Sequence, residues 1–185
     1  CRRALLIKME RGDDAMKQYL AGKIRNVALA GHSSSGKTTL AEALLFKTGY
    51  SDRLGKVADG NTVCDFDPEE IKRKGSVSST VAPFAWGSTK INLIDTPGLF
   101  DFEGGMYEGM IAAESVLITV SARDGVEVGT EKAYDLADRL GRAKMFFVTQ
   151  MDMENADFYK VLEQLKAQFG PSVCPLVVPF MKDGK

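Results

Sequence analysis

The chain has 185 residues, 44% hydrophobic and 26% charged, which is enough apolar material for one well-cored domain, and its composition does not read as disordered. Its 24 basic and 25 acidic side chains leave a formal net charge of -1, so no global basic field draws it to nucleic acid and only a local patch stays open for that role. Cys1, Cys64 and Cys174 are an odd, widely spaced set without metal-ligand spacing, which predicts reduced thiols in a cytoplasmic protein; no apolar run reaches the roughly 18 residues that would predict a membrane partner.

Residues 1–15 do not fit the pattern of the rest of the chain. Basic residues and a very short apolar run resemble a signal peptide, but the run is too brief and no small-residue cleavage site comes after it. Met16 reads as a natural start, making 1–15 an upstream extension or artefact and 16–185 the domain. From Ile24 the pattern alternates between β and α. A strand is predicted over 24–30 and a helix over 38–48, ending before Gly49.

Between them lies Gly31-His32-Ser33-Ser34-Ser35-Gly36-Lys37-Thr38, a full match to GxxxxGK[ST] in its strand, loop and helix context. The glycines permit a tight turn that aims several N–H groups inward, and the helix points its positive end into the same concavity. This is a phosphate loop of a nucleotide-binding domain, with Lys37 reaching outer phosphates and Thr38 offering its hydroxyl to magnesium.

Residues 51–74 are polar and charged, with an Asp-rich run at Asp65-Phe66-Asp67-Pro68, and read as a long mobile loop with one helical turn. Strands over 81–86 and 90–94 form a hairpin across Gly87-Ser88. Helix comes next over 105–113, strand over 116–121, helix over 129–140, strand over 144–149 and helix over 155–169. Strands separated by helices predict an α/β fold: a mostly parallel sheet, helices on both faces, and one antiparallel edge strand from the hairpin.

Asp95-Thr96-Pro97-Gly98 directly follows the strand Ile91-Asn92-Leu93-Ile94. A carboxylate at the carboxyl end of a buried strand sits where doubly wound sheets bind ligands. Placed after a phosphate loop, Asp95 can hold magnesium through water and the Gly98 N–H can meet a terminal phosphate, which makes the loop behind them a candidate switch.

The run Lys23-Ile24-Arg25-Asn26-Val27-Ala28-Leu29-Ala30, the loop and helix at 31–49, Ile91 to Gly98 with Asp101-Phe102 beyond, and Gly125-Val126-Glu127-Val128-Gly129-Thr130-Glu131 closely resemble translation elongation factor G. The segment Glu70-Ile71-Lys72-Arg73-Lys74-Gly75-Ser76-Val77 resembles its divergent "elongation factor G-like" branch. The resemblance runs from Met16 to the end and implies a Ras-like P-loop GTPase domain acting on the cytoplasmic ribosome, with GTP or GDP and Mg2+ as ligands. It implies nucleotide contacts from 31–39, including Thr39, and from Asp95, Gly98, Thr149, Gln150 and Asp152. Metal contacts would come from Thr38, Ser76 and Asp95, and guanine recognition from Asp152. It also implies that Pro175–Phe180 opens a segment inserted before the last strand, so that the domain is truncated, with its final strand and closing helix beyond Lys185 and one sheet edge left open.

The sequence departs from that family at three places. Leu99 replaces the histidine that positions the attacking water, so the catalytic residue is unknown. Thr149-Gln150-Met151-Asp152 stands for Asn-Lys-x-Asp, which removes the amide that braces the loop. Ser34 stands where an aspartate is common, which would weaken an extra monovalent-cation site. These departures keep open a non-hydrolysing guanine-nucleotide switch; a P-loop kinase would need an arginine-rich lid that is not seen.

Other residues have plainer readings. His32 is a lone histidine, a weak catalytic signal, and is given a structural role. Trp86 is expected under the sheet edge, Lys72-Arg73-Lys74 on a solvated loop, and Met106, Met110, Met145, Met151 and Met153 as core and loop filler.

Overall fold

The computed structural model describes residues 18–180, so the reading of 1–15 as an extension lies outside the described residues. Five strands form one sheet in the order β2-β3-β1-β4-β5: β1 (Ile24–Gly31), β2 (Thr80–Trp86), β3 (Thr89–Asp95), β4 (Ser115–Ser121) and β5 (Ala143–Thr149). All neighbours are parallel except β2 and β3, the expected antiparallel hairpin, which turns at Gly87 with φ 58°. Pro83 has no N–H to give and sits on β2, the edge strand, where sheets admit proline.

Strand periodicity explains why helices cover both faces. Along β1, Ala28 and Ala30 point one way and join Ile94, Val116 and Ile118. Against them pack Met106 and Met110 of α3 (Glu103–Ala112) and Ala133, Leu136 and Ala137 of α4 (Val128–Arg139). Leu29 points the other way and joins Leu93, Ala82 and Phe84 beneath Ala41 and Leu45 of α1 (Lys37–Lys47). Each large buried side chain contributes about 1.5–3 kcal/mol of apolar burial, so the two small cores together fix sheet and helices as one body. A third cluster seats Val161 and Leu165 of α5 (Phe158–Phe169) on Val120 of β4. No helix of the described residues is long and apolar enough to cross a membrane.

The register aligns the carboxyl ends of the central strands. Leu29 of β1 stands opposite Asp95 of β3, and Gly31 opposite Thr119 of β4. The phosphate loop and Asp95 therefore leave the sheet at the same edge, the edge where parallel α/β sheets take ligands.

Two expectations need correcting. The stretch 51–74 carries more regular structure than the one helical turn expected of it, a short turn at Val57–Asp59 and the helix α2 (Pro68–Arg73). Asp67 caps α2 by accepting from the Glu69 N–H, Pro68 opens it, and Glu70 reaches back to the Asp67 N–H at 3.2 Å, a complete capping box. Trp86 is not packed under the sheet edge: it is 63% exposed, because β2 is outermost and nothing among the described residues covers its end. Of the methionines, Met106 and Met110 are core, whereas Met145, Met151 and Met153 are exposed.

Candidate functional site

The phosphate loop owes its shape to three backbone specials. Gly31 has φ 134° and lies so close to β4 that a Cβ there would sit 2.6 Å from the Thr119 carbonyl oxygen. Ser34 (φ 62°) and Gly36 (φ 87°) are left-handed, and Gly36 then opens α1 by accepting from the Leu40 N–H. Ser35 is turned into the protein: its hydroxyl donates to the His32 carbonyl at 2.8 Å and lies 2.6 Å from the Thr119 hydroxyl. Ser35 therefore pins the loop, while Ser33, Ser34, Gly36, Lys37, Thr38 and Thr39 line the adjoining cavity of about 240 Å³.

Lys37 is 6% exposed and donates from Nζ to the His32 carbonyl at 2.6 Å and to the Gly31 carbonyl at 3.2 Å. Burial lowers its pKa to about 8, against the opposing attraction of Asp95, Asp65 and Glu127. A buried ammonium held by loop carbonyls beside the cavity is suited to meet an anion, which would raise its basicity again.

Beside it, hydroxyls and carboxylates converge. Thr38 Oγ1 donates to Asp95 Oδ2 at 2.7 Å, and Ser76 Oγ donates to Asp65 Oδ1 at 2.7 Å. The two hydroxyls are themselves hydrogen-bonded at 3.2 Å, so Asp95, Thr38, Ser76 and Asp65 form one continuous chain of oxygens. Asp95 Oδ1 and Asp65 Oδ2 are buried without a hydrogen-bond partner among the described residues. Burial raises the Asp95 pKa to about 7 despite its bond from Thr38 and the nearby Lys37, and burial raises Asp65 as well. Orphaned buried carboxylate oxygens are what a hard cation relieves, and the donors present, all oxygen, fit magnesium.

Asp65 is not marked out by the sequence, because it lies in a stretch without periodicity. The signal that places it is the adjacent capping box at Asp67 and Glu70, which anchors this stretch. Two further buried carboxylates hold the stretch against the body. Glu42 of α1 accepts from the N–H groups of Val63 and Cys64 at 2.6 and 3.2 Å, and Glu70 accepts from Val77 and Ser78 at 3.0 and 3.1 Å. Both are at most 2% exposed. Between them they deliver Asp65 and Ser76 to Thr38.

Gly98 lies where its backbone touches the loop: an added Cβ would collide with the Lys37 ammonium and lie 2.8 Å from the Ser33 nitrogen. Leu99 is next in the chain, 38% exposed, on the cavity wall. Thr149 and Gln150 close the opposite side. The Thr149 hydroxyl donates to the Ser35 carbonyl at 2.7 Å, so bracing of the loop is carried by a hydroxyl. Gln150, at φ 57°, donates Nε2 to the Ser34 carbonyl at 2.8 Å and accepts from the Ser121 hydroxyl at 2.7 Å. Asp152 is exposed in the turn beyond, outside the cavity lining, and is the one predicted site residue that these contacts do not join to the rest.

His32 has the structural role expected of it. Its Nδ1 accepts from the Gly129 N–H at 3.3 Å, its Nε2 lies 3.4 Å from Glu127 Oε1, and its ring meets Phe100 edge-on. The histidine thus joins the loop to the start of α4 and to the segment after Gly98.

Comparison with known proteins agrees with this geometry. The elongation factor Tu GTP binding domain family matches residues 22–182. An elongation factor G-like protein of Mycobacterium tuberculosis is 39% identical over 158 residues, 85% of this chain and 22% of that protein. The Thermotoga maritima elongation factor G-like protein is 40% identical over 84% of the chain and 22% of its own length. The mitochondrial ribosome-releasing factor 2 of Culex quinquefasciatus is 36% identical over 94% and 23%. The chain thus spans under a quarter of the length of these curated relatives. A crystal structure of a Thermus thermophilus protein superposes with a TM-score of 0.85 at 43% identity, covering 89% of this chain and 25% of that one. Bacterial selenocysteine-specific elongation factor EF-Sec superposes at 0.62 with 25% identity, over 82% and 23%. On a family match over residues 22–182 and relatives about two-fifths identical across most of the chain, the chain belongs to the elongation factor Tu GTP-binding-domain family and is related to elongation factor G among the translational GTPases.

Proposed function

We propose that the chain binds guanine nucleotide with magnesium at residues 31–39 and works as the GTP-hydrolysing domain of an elongation factor G-like factor on the cytoplasmic ribosome. One observation carries this reading. Asp65 and Asp95 each bring a buried carboxylate oxygen without a partner among the described residues up to the Thr38 and Ser76 hydroxyls, next to a buried lysine at the mouth of a phosphate loop. Thr38 and Ser76 would hold magnesium directly and Asp95 through water, and the ion would neutralise charge on the phosphates.

The chain's own residues do the rest by positioning and electrostatics, since phosphoryl transfer to water needs little covalent help from protein. Loop amides and the Lys37 ammonium seat the phosphates, and they are fixed before the reaction by Ser35, Thr149 and Gln150. The Gly98 N–H, close to the Lys37 ammonium, would meet the terminal phosphate, so that the segment behind it would sense whether that group is there. Asp152 would accept from the guanine N1–H and exocyclic amine.

Titration calorimetry with GTP, GDP and ATP, with and without magnesium, tests the proposal. Magnesium-dependent uptake of GTP in preference to ATP is expected. No uptake of any purine triphosphate overturns it, and preference for ATP would favour a kinase.

Leu99 supports a second reading, a guanine-nucleotide switch that does not hydrolyse. Its side chain lines the cavity yet can neither accept from water nor orient it. Single-turnover GTP hydrolysis in the presence of ribosomes separates the two: clear stimulation rejects the switch.

A further inference from the structure

We infer that Lys74 is a second phosphate-facing cation, supplied by the chain itself, that discriminates nucleoside triphosphate from diphosphate; this rests on the nucleotide-binding reading above. Among the residues lining the cavity, the only cationic side chains are Lys37 and Lys74. Lys37 rises from the floor, buried. Lys74 stands exposed on the wall formed by Lys74-Gly75-Ser76. This wall meets Thr38 through the Ser76 hydroxyl, whereas Gln150 closes the other side at Ser34. The Ser76 side is thus the one away from the base-contacting turn at 149–152, and it is where the outermost phosphate would lie.

The placement of Lys74 is built. Its backbone N–H and that of Gly75 both donate to the Glu70 carbonyl, and the Glu70 carboxylate takes the N–H groups of Val77 and Ser78. The turn from Lys74 to Ser78 is therefore wrapped around one buried glutamate.

Its backbone is also costly. Lys74 caps α2 in the left-handed region at φ 55°, where glycine is the usual occupant because a Cβ is disfavoured there. A glycine is available next door at Gly75, which lacks a left-handed φ and has nothing near its would-be Cβ. The chain accepts strain at 74 to keep a lysine side chain there, and strain of this kind collects at sites where the side chain acts.

Charge points the same way. The neighbouring Arg73 is engaged elsewhere, paired with Glu69 at 2.6 Å and lying over the Phe102 ring. Among the described residues Lys74 has no carboxylate within salt-bridge distance. The cavity itself carries Asp65 on its wall and Asp95 behind it, so a magnesium triphosphate would bring net negative charge into a region already holding two carboxylates and one buried ammonium. An additional cation facing the outer phosphate offsets that charge for the triphosphate and has no such group to meet in the diphosphate.

The test compares GTP and GDP affinity, each with magnesium, for the wild-type chain, Lys74→Gly and Lys74→Arg, alongside their unfolding midpoints. Glycine relieves the left-handed strain, so its midpoint should equal or exceed that of wild type and loss of fold is not the cause of any change. Lys74→Gly should weaken GTP about tenfold while changing GDP less than about twofold, and Lys74→Arg should restore the ratio. An unchanged GTP-to-GDP ratio in Lys74→Gly, or an arginine variant as weak as the glycine one, overturns the assignment while leaving the binding proposal standing. A wild-type chain that takes up neither nucleotide overturns the binding proposal and this inference with it.

Discussion

Thr149, the last residue of β5, donates its hydroxyl to the carbonyl of Ser35 in the phosphate loop at 2.7 Å, joining positions 114 residues apart. The same hydroxyl also lies 3.2 Å from the Val120 carbonyl, and the Thr149 side chain packs where a Cβ on Gly36 would touch it. One small side chain therefore ties the sheet to the loop at the point where Gly36 turns left-handed.

Thr149→Val keeps the shape of that side chain and removes only its hydroxyl. It leaves the Ser35 carbonyl without its donor, which should cost about 1–2 kcal/mol in stability and loosen the loop. Urea unfolding and hydrogen exchange at the loop amides read both effects. Thr149→Asn should recover most of the loss, because an amide can donate to the same carbonyl. A valine variant as stable and as protected as wild type would show that the contact does not brace the loop.

Gly98→Ala tests the close approach of its backbone to the phosphate loop. The added methyl would press on the Lys37 ammonium, which can swing away, and on the Ser33 nitrogen at 2.8 Å, which cannot. Affinity for magnesium GTP should fall by about tenfold or more, with GDP affected less, because the strain is local to the outer-phosphate end. Calorimetry on both nucleotides measures this; equal affinities for wild type and variant would remove Gly98 from the site.

Much of this site is legible in the chain order, and the limit is physical. Gly31 to Thr38 can be read because a phosphate loop needs fixed residue types at fixed spacing within one strand, loop and helix. Asp95 and Gly98 can be read because they follow a strand of clear apolar pattern. Helices on both faces follow from the same alternation that divides Ala28 and Ala30 from Leu29, whereas the strand order is not written in that pattern. Asp65, Lys74 and the anchoring role of Glu42 cannot be read that way, because they depend on how a polar stretch folds back over α1. That stretch has no hydrophobic period, and it is held by buried carboxylates receiving backbone N–H groups. Trp86 misleads for the converse reason: a large aromatic at a strand end signals burial only if something packs over that strand, and β2 is the outermost one.

The buried carboxylates set a pH dependence for the metal-free chain. The Asp95 pKa rises from its ordinary 3.8 to about 7, through burial above all, so the folded state holds this proton more tightly than the unfolded one. A raised carboxylate contributes its stabilisation below the unfolded pKa and loses it as pH climbs through the folded value. Asp65 and Glu42 are raised by burial and act in the same sense. Lys37 is lowered from 10.5 to about 8, which costs a constant amount below that range and so adds no slope between pH 5 and 7. The chain without magnesium should therefore be more stable at pH 5 than at pH 7.5, by on the order of 2 kcal/mol. Asp95→Asn should flatten much of that slope in urea unfolding at the two pH values. A wild-type midpoint that does not move, or an asparagine variant that keeps the full slope, contradicts this account.

Leu99 bears on whether hydrolysis occurs at all. It stands next to Gly98 on the cavity wall, partly in solvent, with an apolar side chain that can neither accept from nor orient water, which the proposed hydrolysis would need at this place. Water-positioning groups typically supply on the order of a hundredfold in rate, and they do so without much effect on ground-state binding. Leu99→His should thus raise single-turnover phosphate release from bound GTP by about tenfold to a hundredfold and leave GTP affinity within about threefold of wild type. The separation of rate from affinity is the decisive feature, because a merely structural change would move both. If release stays as slow in the histidine variant while GTP still binds, water positioning at this place is not what limits the chain. The reading that then gains is the guanine-nucleotide switch, in which the apolar wall keeps the bound triphosphate intact.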